Sequence, residues 1–179
     1  MIDCGRRFGK NILLQDFAAE TAVNGLPVGW GAPIYKQTLD DYRTLENTLA
    51  PIVSRASASE MRLELETGGT IEFWSLDKPD SIRGKKYKRF IVNEAGFVPN
   101  LLDIRNFIIT PTLIDMQGDS YYAGTPKGMN GFFALYNIRE PDWMRWHMSS
   151  YKNPHIPSSE LDALKLTMTE RSFAQEIMA

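Results

Sequence analysis

Cysteine is nearly absent from this chain. Cys4 stands alone among 179 residues, so no disulfide can form within it, which suits a reducing compartment such as the cytoplasm. Histidine is almost as scarce: His147 and His155 have no cysteine or acid at metal-ligand spacing, which argues against a zinc site. No apolar run approaches the roughly 20 residues that a membrane span needs. The opening MIDCGRRFGK lacks the apolar stretch of a signal peptide. An excess of positive charge is also missing, with 20 Lys and Arg against 22 Asp and Glu and a net charge of −2. Proteins that grip DNA over a broad face are basic, so the composition argues against strong, independent DNA binding. GKKYKR at 84–89 is a local exception, either a DNA contact or a solvated strand entrance. Repeats, low-complexity segments and linkers are absent as well. The length fits one domain with a real core.

What is present alternates between helix and strand. Ile12, Leu13, Phe17, Ala18 and Val23 recur at helical spacing, and Asn24-Gly25 stops that helix. A strand is expected over 27–35, and Thr38, with Asp41 three residues on, reads as the cap of a helix running over 38–54. MRLELET and TIEFWSL alternate apolar with polar residues on either side of Gly68-Gly69, the pattern of a β-hairpin. Phe90-Ile91-Val92 is a short apolar run ending in an acid, as in a buried parallel strand. A helix at 100–109, a strand at 120–123, a loop GTPKG, a helix at 130–138, a strand at 143–150 and one or two helices from Ser158 onward complete the series. This order predicts an α/β fold with a mostly parallel sheet and an added hairpin. Trp74, Trp143 and Trp146 fall in expected strands and read as core residues rather than platforms for stacked bases.

Two peptides carry chemistry. CGRRFGKN at 4–11 has the parts of a phosphate cradle: Gly5 and Gly9 let backbone N–H groups face an anion, Lys10 supplies a cation, and a helix starts at once. FIVNEAG at 90–96 is an apolar strand tipped by Glu94, placed to orient or deprotonate a water beside that cradle.

Together these residues resemble the ATPase domain of tailed-phage large terminases, DNA-packaging motors with a RecA-like, additional-strand P-loop fold and helices on both sheet faces. GRRFGKN matches the family's phosphate loop, with Cys4 as the small residue replacing its first glycine. SLDKPDSIRGKKYKRFIVNEAG is similar to the stretch leading into the family's acidic strand, and PTLIDMQGDSYYAGTPKGMNGFFALYN to its coupling region. MSSYKNPHIPSSELDALKLTMTERSFAQEIMA is similar to the segment leading out of the domain, so the likeness runs from about residue 4 to 179. The resemblance implies ATP and Mg²⁺ as cofactors. It gives Gly5, Gly9 and Lys10 the phosphates, Arg6 or Arg7 the γ-phosphate, Glu94 the water, and Thr125 the coupling to movement. Arg83 would reach a neighbouring subunit's ATP, or else pair with Asp77 or Asp80. Implied partners are double-stranded DNA, a portal protein, a small terminase subunit and further copies in a ring, in the cytoplasm of a bacterial host.

Departures from the family pattern matter equally. Asn11 stands where the family has Ser or Thr, and Asn93 where it usually has Asp. Both are magnesium positions, and a neutral amide oxygen is a weaker ligand there than a hydroxyl or carboxylate. The expectation is slow or absent ATP hydrolysis, with a catalytically weak nucleotide-binding module as the alternative to a working motor. The chain reads as one P-loop domain over 1–179, truncated at its N-terminus, with no nuclease domain and no DNA cleavage expected.

Overall fold

Short apolar runs separated by helices pair into one sheet. In the computed structural model, which describes residues 1–179, the strands are β1 (Ile2–Cys4), β2 (Pro27–Ala32), β3 (Val53–Ser57), β4 (Arg62–Leu65), β5 (Thr70–Ser75), β6 (Arg89–Val92), β7 (Asp119–Gly124) and β8 (Trp146–Met148). Their spatial order is β3-β4-β5-β2-β6-β7-β1-β8. Every pairing is parallel except β3 with β4 and β4 with β5. The expected hairpin is therefore real, and β3 extends it by one strand. The expected acidic strand, β6, does not lie next to β1, because β7 is inserted between them. That insertion is the additional-strand arrangement.

The helices are α1 (Lys10–Val23), α2 (Tyr35–Leu49), α3 (Leu101–Ile104), α4 (Thr110–Leu113), α5 (Gly131–Tyr136), α6 (Ser158–Thr167) and α7 (Glu170–Phe173). Successive residues of a strand face opposite sides of a sheet, and β6 shows the consequence. Ile91 joins the core under α1 and α2, whereas Phe90 and Val92 join a second core that includes Leu101, Ile108, Leu113 and Leu135. Helices thus cover both faces.

Several sequence expectations need correction. The helix expected to end at Ser54 stops at Leu49, and Val53–Ser57 is a strand. Pro51 explains this: it has no N–H to donate and clashes with the preceding turn. Thr38 does not cap that helix, which begins three residues earlier; its hydroxyl donates back to Ile34 O at 3.1 Å. The strand expected over 27–35 ends at Ala32, ahead of Pro33, and that expected over 143–150 shrinks to three residues. Trp146 is 40% exposed, so it is not a core residue, while Trp30 is completely buried. The helix expected to stop at Ile109 continues, with a π-helical segment (Arg105–Ile109) joining α3 to α4. Pro111 has no N–H to donate to a carbonyl of the preceding turn, and the guanidinium of Arg83 donates to Phe107 O in that turn, at 3.1 Å.

The hairpin turn also packs tightly on α1. A Cβ at Gly69 would lie 1.9 Å from Ala22 O, a backbone atom with no freedom to move aside. Gly69→Ala is expected to destabilise the fold by about 1–3 kcal/mol, the usual cost of forcing an extra carbon into a packed site. A thermal melt should show a fall of several degrees; an unchanged melt would show that the turn can shift.

Candidate functional site

β1 delivers the chain to a loop at residues 5–9, and α1 starts at Lys10. Two residues turn the loop with left-handed backbone, Arg7 (φ 57°) and Gly9 (φ 106°). A Cβ added at Gly9 would have nothing within 4 Å, so conformation rather than space requires glycine. The first N–H groups of α1 have no partner within the helix. Gly5 is constrained differently: a Cβ there would meet Ile177 O at 2.3 Å and Ser150 Oγ at 2.4 Å. The C-terminal residues in fact strap the loop from outside. Gly5 N donates to Met148 O, Arg6 N to Glu176 O, Ser150 Oγ to Arg6 O and Asn153 Nδ2 to Arg7 O.

Lys10 is 6% exposed. Its Nζ donates to Cys4 O at 2.8 Å, Gly5 O at 3.0 Å and Thr125 Oγ1 at 3.1 Å. Burial lowers its pKa, and the charge of Glu94 opposes that shift. Thr125 follows the end of β7 and donates in turn to Cys4 O at 3.3 Å. Glu94 sits just beyond β6 with φ 50°, a left-handed conformation that is unusual for a side-chain-bearing residue. Its carboxylate makes no hydrogen bond within the chain. The turn carrying it is pressed onto β7, since a Cβ at Gly96 would come within 2.5 Å of Thr125 O.

Lys10, Glu94 and Thr125 line one cavity of about 670 Å³, together with Arg6, Arg7, Gly9, Asn11 and Asn93. Arg6 forms an ion pair with Glu176. Arg7 has an exposed side chain without an intrachain partner, and Asn11 is exposed on the first turn of α1. Asn93 is buried and fully engaged: its Oδ1 accepts from Glu94 N at 3.0 Å, and its Nδ2 donates to both carboxylate oxygens of Asp41, at 3.1 and 3.3 Å. Cys4 is completely buried, its thiol pushed up to about 11 by desolvation, so it acts as packing.

The polar residues that the sequence did not reveal as part of the site come from α2. Gln37, Asp40 and Asp41 line the same cavity as the loop. Asp41, expected in a helix cap, is 7% exposed and receives hydrogen bonds from Asn93 and from Trp30 Nε1 at 2.8 Å. Burial raises its pKa, and those two bonds oppose the rise. The Asp40-Asp41 pair was visible as a signal, but only the fold turns it toward the phosphate loop.

Arg83 does not line this cavity. It borders a smaller one of about 290 Å³ and bonds Asp80 Oδ1 at 2.7 Å as well as Phe107 O. The basic patch at 84–89 is largely consumed by the structure. Lys85 pairs with Glu72, Lys86 with Asp115 and Arg89 with Asp119, while Lys88 donates to Met116 O and Gln117 O. Of its two readings, the strand entrance describes what the structure shows. No helix is long and apolar enough to cross a membrane.

No protein-family model matches the chain. The terminase large subunits of Thermus phage G20c and Thermus virus P23-45 are each 27% identical over 119 residues, covering 57% of this chain. The chain spans only 22% of the length of these curated relatives. Among solved structures, the ATPase domain of the Thermus phage P74-26 large terminase has a TM-score of 0.78 at 22% identity, covering 99% of this chain and 86% of that one. The large terminase of a thermophilic bacteriophage, in complex with ATP-gamma-S, has a TM-score of 0.77 at 16% identity, covering 98% of this chain and 46% of that one. In fold over nearly all its length the chain is similar to the ATPase domain of a phage large terminase, and in sequence over more than half of it to phage terminase large subunits.

Proposed function

We propose that the cavity binds ATP, with the triphosphate on the loop at residues 5–10, and that the chain hydrolyses it as the motor domain of a DNA-packaging machine. The observation that supports this most is the meeting of Lys10, Thr125 and Glu94 in one cavity from three different elements. Lys10 now bonds uncharged oxygens; phosphate oxygens are stronger acceptors because they are charged. The free amides at the start of α1 suit the same anion. Arg7, unpaired at the rim, is the cation available to the γ-phosphate, while Arg6 would first have to leave Glu176. Glu94, with no intrachain bond to its carboxylate, accepts a proton from the attacking water. Thr125 senses the exchange, because its bond to Lys10 breaks when that ammonium turns to phosphate, and its backbone touches the Glu94 turn.

Magnesium is the expected companion of ATP, and hard cations need charged oxygens. Asp40, Asp41 and Glu94 line the cavity without converging into a metal-binding cluster of their own; an ion carried by the triphosphate needs only one or two carboxylates besides the phosphates and waters, and the acids present fit that demand. When bound, it screens the charge on the β- and γ-phosphate oxygens.

In this reading the chain is a single P-loop ATPase domain working in a bacterial host's cytoplasm. A ring of copies, with a portal protein and a small terminase subunit, would drive double-stranded DNA into procapsids. Arg83 would act on a neighbouring copy's ATP. A second reading, nucleotide binding without turnover, draws on Asn93, whose amide oxygen is committed to Glu94 N.

Fluorescent-ATP titration and phosphate release test both readings. Lys10→Ala should weaken binding at least about tenfold, on the order of one charged hydrogen bond. Glu94→Gln should retain binding and lose about 10²–10⁴ in hydrolysis. Binding by Lys10→Ala equal to that of the unaltered chain would sink the nucleotide site. Binding without turnover in the unaltered chain would select the second reading.

Arg83 calls for a mixing experiment. Arg83→Ala and Glu94→Gln, each inactive alone, should recover phosphate release when combined, because an intact Arg83 then meets an intact Glu94 across a subunit boundary. An arginine finger is worth about 10³–10⁵ in rate, so recovery should be plain; none would confine Arg83 to its bonds with Asp80 and Phe107 O.

A further inference from the structure

We propose that Asp41, on α2, supplies the metal-holding carboxylate that the tip of β6 lacks, with Asn93 as the residue that positions it. The inference deepens the nucleotide reading and rests on it. Residue 93 directly follows β6 and precedes Glu94, yet it is an uncharged amide. Its oxygen accepts from Glu94 N, and what that amide oxygen can still offer an ion is a neutral lone pair rather than a charge. Its NH₂ holds Asp41 through both carboxylate oxygens, and Trp30 Nε1 fixes Asp41 from β2. A carboxylate therefore lies one hydrogen bond from the place where a charge is missing, inside the cavity that holds Lys10 and Glu94.

The burial of Asp41 is otherwise unexplained. Carboxylates that are seldom exposed usually have a cationic partner, since an unpaired buried charge is costly. Asp41 has none: both donors are neutral, and the charged groups that act on it, Glu94 and Asp40, carry its own sign. A chain that keeps such a group beside a phosphate loop gains from it when a cation arrives there. A divalent ion bound with a nucleoside triphosphate has the right charge and the right preference for oxygen. Asn93 and Asp41 together then replace a single strand-tip carboxylate, one holding and the other carrying the charge.

Isothermal titration calorimetry with ATP-gamma-S, with and without Mg²⁺, reads the effect directly. The unaltered chain should bind more tightly with Mg²⁺. Asp41→Asn, nearly identical in shape, should lose at least about tenfold of that gain, a factor worth about 1.4 kcal/mol. The exchange variant Asp41→Asn with Asn93→Asp keeps an amide beside a carboxylate and should restore it. Carboxyl-¹³C aspartate in the unaltered protein gives a measurement independent of any variant's folding. With ATP-gamma-S present, Mn²⁺ should broaden the Asp41 signal well before those of Asp103 and Asp115. Asp41→Asn with the full Mg²⁺ gain, no gain in the unaltered chain, or an Asp41 signal that survives Mn²⁺ would each overturn this assignment alone. Failure of ATP-gamma-S to bind under either condition would instead remove the nucleotide reading, and this one with it.

Discussion

A buried ammonium must have acceptors, and the bonds of Lys10 organise the centre of this molecule. Its three partners come from the end of β1, from the loop itself and from the residue after β7. One side chain therefore ties the phosphate loop to the neighbouring strand while satisfying its own charge with oxygens. The same geometry makes it available. All three acceptors are neutral, so a charged oxygen entering the cavity competes well for the ammonium, and the strand tip registers the change.

Close backbone approach carries that change in two directions. Gly96 allows the turn behind Glu94 to rest against Thr125, where a methyl group would collide. Gly5 allows the C-terminal residues to lie on the outside of the loop, where they accept from Gly5 N and Arg6 N and pair with Arg6. The loop is thus in contact on one side with the strand tips and on the other with the segment from Met148 to Ile177. Packed backbones transmit a displacement because they have no side-chain slack to absorb it.

Charged residues outside the cavity serve mainly to finish the fold. Arg83 donates to Phe107 O in the helical run that contains Pro111, and Arg89 binds both oxygens of Asp119 while lying over the rings of Phe17 and Tyr121. A basic run in a sequence signals a nucleic-acid contact only when its charges remain free. Here most of them are matched by carboxylates or carbonyls from neighbouring elements.

The α/β class, the hairpin at Gly68-Gly69, the phosphate loop and the strand ending at Glu94 were legible in the sequence because each depends on short-range causes: side-chain periodicity, glycine's backbone freedom, and a helix start beside a lysine. Pro51 was equally local evidence that α2 must end early, although apolar periodicity continued past it. What the sequence could not contain was the insertion of β7 between β1 and β6, the contact of the C-terminal segment with Gly5, and the place of Asp41 in the cavity that Lys10 lines. Strand order and helix rotation follow from which apolar faces bury together across long separations in sequence, and that competition is decided only in the assembled core.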